Sequence, residues 1–348
     1  GDIVREVMGP DEHLSLSHEL GARGILEREN STVLNGALLG VARDVAGTLG
    51  AALEHRGIDA ALYFAQNDGT LMALEHAVRF PVLTIGSGPA NSLRGAAYLT
   101  GRDDAIVVDV GGTSTDIGVL VSGFPRESSQ AVEIGGVRTN FRMPDIISIA
   151  VGGGTVVREG AIGPDSVAWR IGTESLAFGG STPTLTDAAL LGRRASDIGS
   201  VTPDTAHADM LRNGLALADV AVADAIDRVK TSRSDAPIIA VGGGSIILAD
   251  PIAGASEILR PANHDVANAI GAAIAKVSGS AEEVVTYTTR SHAEAVQEIA
   301  ARAGAAAVSA GADPERVEVV DVEETPLTYM MEPAARIRVK AAGPLAMG

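Results

Sequence analysis

Asp109-Val-Gly-Gly-Thr-Ser-Thr-Asp116 concentrates the residue types that grip a phosphate group. Glycines at 111 and 112 let backbone N–H groups come close to an anion, and such a turn makes a concave nest. Thr113, Ser114 and Thr115 follow, each with a hydroxyl able to donate to phosphate oxygens. Asp109 and Asp116 would repel bare phosphate. They make chemical sense with a divalent cation between carboxylate and phosphate, as magnesium sits in nucleotide sites. The bland alternative is an ordinary hairpin with a Gly-Gly turn, in which Asp116 caps its own turn.

A second glycine turn stands at Gly242-Gly-Gly-Ser245, at the end of the apolar run Pro237-Ile-Ile-Ala-Val241. A glycine loop after a strand can lie flat against a nucleotide base or ribose, or it can be only a turn. Val151-Gly-Gly-Gly-Thr155 has the same form without a strong strand before it. No Gly-x-x-x-x-Gly-Lys-Ser/Thr occurs, which excludes a P-loop, and no Gly-x-Gly-x-x-Gly follows a suitable strand.

These turns need strands and helices to hold them. Ala105–Val110 and Asp116–Val121 read as two strands joined by the first glycine turn. Upstream, Asn30 and Ser31 can cap a helix with an apolar stripe at Leu34, Leu38, Val41, Val45, Leu49 and Leu53. A strand over 60–65, a helix near 71–79, a strand over 81–85 and a helix through Leu99 come next. That alternation predicts an α/β fold whose sheet is mainly parallel and covered by helices. Loops and short strands fill 152–182, a long helix spans about 206–230, and another runs over 263–277. The last 68 residues read as a small strand–helix–strand–strand unit with its helix near 291–309.

The 348 residues suggest about two domains, each large enough for a proper core. Aromatic residues make up only 3%, which suits layers of small side chains. The absence of cysteine removes disulfides and thiolate zinc sites. A net charge of −17 disfavours nucleic acid, which would be repelled without a basic patch. No uninterrupted run of about 18 large apolar residues occurs and the start is unlike a signal peptide, so no membrane span and a cytoplasmic location are expected.

Taken in order, the Gly-Ser-Gly-Pro helix, the Asp-x-Gly-Gly-Thr hairpin, the Gly-Gly-Gly-Ser turn and the Ala/Gly helix resemble the ATP-binding half of the actin-like ATPase superfamily. The closest resemblance is to the hydantoinase A/oxoprolinase family. It is carried by Ser15-Leu-Ser-His-Glu19, Asn30-Ser-Thr-Val-Leu-Asn35, Ser87-Gly-Pro89 and Asp109–Asp116, and continues through Ile134-Gly-Gly-Val-Arg-Thr139, Ile149-Ala-Val-Gly-Gly-Gly154 and Pro183-Thr-Leu-Thr-Asp-Ala188. It covers residues 13 to 280 and weakens beyond them. The implied fold is an actin-like, ribonuclease H-like mixed sheet flanked by helices, with a small C-terminal α/β unit. The implied parts are 1–104, the remainder of a first domain with a connecting helix; 105–280, the ATP-binding domain; and 281–348, a unit packed on it. Gly95, Ala96, Gly271 and Ala272 would let two connecting helices pack closely.

Members of that family use ATP to open a cyclic amide such as a hydantoin or 5-oxoproline, some relatives carboxylate ketones, and a B-type subunit typically assists. Phosphorylating a lactam oxygen makes an unreactive amide open to water, a chemistry of positioning and charge neutralisation. The resemblance makes ATP and Mg2+ the cofactors. Asp109 would hold the metal and, with Asp116, serve catalysis. Gly111, Gly112, Thr113, Ser114 and Thr115 would grip the β/γ-phosphates. Gly242, Gly243, Gly244 and Ser245 would form the adenosine loop. A small-molecule kinase on the same fold and a nucleotide-dependent regulatory ATPase are the alternatives, and self-association is compatible with either. The family carries an earlier Asp-Gly-Gly-Thr hairpin that this chain lacks before residue 105, so it reads as a fragment expected to fold alone yet to be inactive.

Several other residues invite weaker readings. His13 and His18 suit structure better than metal ligation, and His264 suits a helix start. His55, His76, His207 and His292 are scattered. Arg138 and Arg142 pair on the surface or contact substrate or phosphate, Trp169 suits core or interface packing better than a ligand platform, and Asp187 serves either the site or a helix cap.

Overall fold

The structure is a computed structural model that describes residues 2–8, 14–20, 25–128, 132–139, 143–201, 205–288, 290–328, 330 and 332–346. His13 and Arg142, and the side chain of His18, lie outside the described residues. The chain divides into two compact units, one formed by 1–87, 129–142 and 274–348, the other by 88–128 and 143–273.

The second unit carries all three glycine turns. In chain order its main elements are α1 (Ser87–Thr100), β1 (Ala105–Val110), β2 (Thr115–Val121), β3 (Phe124–Pro125), β4 (Ile146–Ile149), β5 (Thr155–Arg158) and β6 (Ala161–Ser166). Then follow α2 (Leu185–Leu191), α3 (Ala208–Val229), β7 (Ala236–Val241), β8 (Ala255–Leu259) and α4 (Ala267–Ile274). Six strands form one sheet in the order β8-β7-β1-β2-β3, with β4 also paired to β2. The pairs β7–β8 and β7–β1 are parallel, whereas β2 is antiparallel to β1, β3 and β4. The sheet is therefore mixed rather than mainly parallel, because the short Gly-Gly connection after β1 can only turn the chain back on itself.

Alternation along the central strands supplies both faces of this unit. Ile106, Val108, Val110, Ile238 and Ala240 pack with Leu211, Leu215 and Val222 of α3. Ala105, Val107, Ile239 and Val241 pack on the other face with Leu93, Ala96 and Ala267. Ile238 to Val241 are all fully buried, which explains an uninterrupted apolar run where a one-sided strand would alternate. Helices α1 and α4 cross at backbone contact. A Cβ on Gly95 would lie 1.9 Å from the Ala267 carbonyl oxygen, and one on Gly271 would lie 1.8 Å from that of Asn91. Of the small residues expected to permit close packing, Gly95 and Gly271 are thus obligatory there.

In the first unit, Tyr63–Ala65 and Leu71–Ala73 join Val277–Thr286, Ala334–Gly343 and Glu318–Pro326 in one five-stranded sheet. The link is the parallel pairing of Leu71 with Val277, supported by a 2.6 Å ion pair of Lys340 with Asp68 and a 2.8 Å bond between Thr70 and Ser278. The C-terminal strand–helix–strand–strand unit forms as read, its helix at His292–Ser309 opened by a Ser291/Glu294 capping box. Its sheet, however, is completed by residues 63–73, so the division differs from the three consecutive parts expected.

Local departures have local causes. Pro81–Thr84 is a 3-10 turn, not a strand; its proline opens the turn and Val82 N–H donates to buried Asn35. Residues 71–79 split into a strand and the helix Leu74–Arg79. The long helix starts earlier, at Ile25, and runs to His55, so Asn30 and Ser31 lie inside it rather than at its cap. Asn35 anchors it through a 3.0 Å bond to the Arg79 carbonyl, yet Val41, Val45 and Leu49 of the expected stripe stay exposed. By length and composition this helix alone among the described residues could cross a membrane, although Arg43 and Asp44 interrupt its apolar run.

Candidate functional site

The three glycine turns begin at Gly111, Gly152 and Gly242, and each follows a strand of the second unit: β1, β4 and β7 in turn. Hydrogen bonding joins the first two. Gly153 N–H donates to the Gly111 carbonyl at 3.0 Å and Gly154 N–H to that of Gly112 at 2.7 Å. The third turn lies against the first. Gly242 has φ of +84°, and a Cβ there would sit 2.4 Å from Asp109 Oδ1 and 2.3 Å from the Val110 carbonyl oxygen. Only glycine satisfies both demands.

Within the first turn, Gly111 N–H closes the loop on the Ser114 carbonyl at 2.9 Å. Gly112 and Thr113 are exposed and Ser114 is half-buried, which leaves the tip open to a ligand. Thr115 differs from its expected role. Its side chain is fully buried and its hydroxyl donates to the Val151 carbonyl at 2.5 Å, so it braces the second turn against the first. Thr186, at the start of α2, completes the brace by donating through N–H and Oγ1 to the Gly153 carbonyl, both at 2.9 Å.

Asp109 and Asp116 are cross-strand partners on β1 and β2. Burial pushes the Asp109 carboxyl above its ordinary range; the Ser92 hydroxyl opposes that and the Asp116 charge adds to it. Burial likewise pushes Asp116 up, against a hydrogen bond from Ser148, its neighbour on β4. Two half-buried acids side by side resist ionising together until a cation shares them. Among the described residues no cluster of three or more His, Asp or Glu side chains could cage a metal. A carboxylate pair beside an open anion nest instead fits magnesium, which takes one or two carboxylates and fills its remaining positions with water and phosphate oxygens.

At the third turn Gly243 is exposed, and a Cβ there would meet nothing within 4 Å, whereas Gly244 and Ser245 are buried. His264 stands in the short turn before α4, as expected of a helix start; its carbonyl accepts from Gly242 N–H at 2.8 Å and its Nδ1 lies 3.3 Å from Ser245 Oγ. Arg260 donates to the Ser245 carbonyl at 3.2 Å and to that of Ala249 at 3.3 Å.

Other expectations resolve individually. Asp187 is fully buried and forms a capping box with Thr184, and it also accepts from Ala177 N–H at 2.7 Å and Ser175 Oγ at 2.8 Å. Its role is structural. Trp169 is 86% exposed and so is not a core residue. Arg138 lies on the strand Val137–Thr139 of the other unit, opposite Glu133. Ser92, Ser148 and Ser166 carry no signal in the sequence. They are single serines on ordinary elements, and their value comes only from the acids and carbonyls folded against them.

The hydantoinase/oxoprolinase family model matches residues 28–196, a span that includes the first two glycine turns and Asp187. The gamma subunit of acetophenone carboxylase from Aromatoleum aromaticum is 28% identical over 222 residues, 61% of this chain and 29% of that protein. An uncharacterized protein of Methanocaldococcus jannaschii is 26% identical over 185 residues, 47% of this chain and 27% of that protein. The chain therefore spans less than a third of the curated relatives it matches. Among solved structures, the ATP-dependent caprolactamase from Pseudomonas jessenii superposes with a TM-score of 0.72 at 19% identity, covering 99% of this chain and 62% of that one. The nucleotide-free acetone carboxylase superposes with a TM-score of 0.67 at 15% identity, covering 93% of this chain and 58% of that one. These two likenesses show a shared fold, the actin-like α/β architecture.

Proposed function

We propose that this chain, a member of the hydantoinase/oxoprolinase family, binds ATP on its second unit and activates the carbonyl group of a small cyclic amide by phosphoryl transfer. The observation that carries the reading is Asp109, a half-buried acid at a strand end, set between an open Gly-Gly-Thr turn and a triple-glycine turn. In this reading Gly111–Ser114 hold the β/γ-phosphates, Gly242–Ser245 face the nucleoside, and Asp109 with Asp116 holds Mg2+. The metal would neutralise charge on the transferring phosphate.

The chemistry balances with ATP and water alone. The ring carbonyl oxygen attacks the γ-phosphorus, and the bond to the ADP oxygen breaks. Water then adds to the activated carbon, the ring C–N bond breaks, and hydrolysis of the resulting acyl phosphate releases inorganic phosphate. The chain's own task is to hold the phosphates and exclude stray water. A ketone could occupy the same acceptor position, a second reading supported by the relatives named for acetone and acetophenone carboxylation. The gamma-subunit relative likewise supports a partner subunit.

The test is ATP hydrolysis by the full-length protein, with and without a B-type partner, on hydantoin, 5-oxoproline and caprolactam, and on ketones with bicarbonate. Ring opening in step with ADP release supports the amide reading. A stable phosphorylated product would mean a kinase, and stimulation by a protein partner alone would mean a regulatory ATPase.

A further inference from the structure

Trp169 is the most exposed large apolar side chain among the described residues, at 86%. It is also the chain's single tryptophan. An indole carries one of the largest apolar surfaces available to a protein, and leaving it in water forgoes its burial. The backbone that presents it is strained as well. Ala168 has φ of +50°, a left-handed conformation that crowds the Cβ of an L-residue and persists only where the surroundings impose it.

The surroundings here are the phosphate-site loops themselves. Val167 N–H donates to the Gly154 carbonyl at 2.9 Å, and Ala168 N–H to Ser166 Oγ at 3.0 Å. Ser166 Oγ in turn donates to the Gly112 carbonyl at 3.2 Å and lies 3.3 Å from Thr113 Oγ1. Trp169 is thus mounted on the open tip of the first turn. The neighbouring Arg170 guanidinium lies 5.9 Å from the ring centre, but its charge is already paired with Glu174 at 2.6 Å.

Phosphate and metal present no apolar face, so neither gives an indole at this end of the site anything to bind. In the proposed reading the nucleoside lies on the third turn, at Gly242–Ser245. Of the groups that the proposed reaction brings to this end of the site, the acceptor ring is the one that offers an apolar face. We infer that Trp169 forms a wall of the acceptor subsite, its indole taking the apolar face of the amide ring whose carbonyl oxygen meets the phosphate. This inference rests on the proposed amide reading.

Steady-state kinetics of the full-length protein tests it, with caprolactam, hydantoin and 5-oxoproline as probes against wild type, Trp169→Ala and Trp169→Phe. Trp169→Ala should raise KM for the responding ring about tenfold while KM for ATP stays within about twofold, and Trp169→Phe should recover most of the loss. An unchanged thermal midpoint is expected for so exposed a side chain. A ring KM in Trp169→Ala matching wild type overturns the inference alone, as does an equal rise in both KM values. If wild type responds to none of the three rings, the amide reading falls and the inference with it.

Discussion

Asp109 and Asp116 face one another across β1 and β2, and both carboxyls are held above the ordinary range, chiefly by burial. Such a pair is costly by itself and useful when a cation bridges it to phosphate. Asp109→Asn should therefore leave the ligand-free protein at least as stable as wild type, by thermal denaturation. The same substitution should weaken magnesium-dependent ATP binding at least about tenfold, by calorimetry, because an amide neutralises no metal charge.

The pair also sets a pH dependence. Both groups bind protons more tightly folded than unfolded, so their contribution to stability is full below the ordinary carboxylate pKa and is lost as pH rises through the raised folded values. Magnesium held by the pair, as proposed, would displace those protons. Its binding should release protons at pH values near the raised pKa and tighten as pH rises through them, measured by calorimetry in buffers of different ionisation enthalpy. Asp109→Asn should reduce that release.

Gly242 and Gly243 should part company under substitution. Gly242→Ala should destabilise the fold, since its Cβ would collide with Asp109 and Val110 at a positive φ. Gly243→Val meets open space, so it should keep wild-type stability and lose nucleotide affinity if the nucleoside lies on this turn. Denaturant midpoints and ATP titrations on both variants separate the two effects.

Asp187→Ala should cost about 3 kcal/mol or more, because it strands several buried donors and removes a capping box. Urea unfolding measures that loss. Nucleotide affinity in the variant that remains folded should stay near wild type, as expected of a brace.

The strands around the first turn, the long helix α3, the C-terminal helix and the glycine turns are legible in the sequence, because periodicity and glycine spacing are local properties. Asp109, Gly111 and Gly242 are legible as candidate site residues for the same reason: each stands at or beside the end of an apolar run. Long-range pairing is not. That Leu71 meets Val277, that Thr115 turns inward to Val151, and that Asp187 is spent on its own cap depend on which backbone groups the fold brings within about 3 Å, and a hydroxyl or carboxylate in sequence carries no mark of its future partner. Trp169 shows the same limit from the other side. Its type suggests burial, but the left-handed Ala168, tied by Ser166 to the first glycine turn, presents it to solvent. Tertiary hydrogen bonds, not the residue's own hydrophobicity, fix the backbone that presents that side chain.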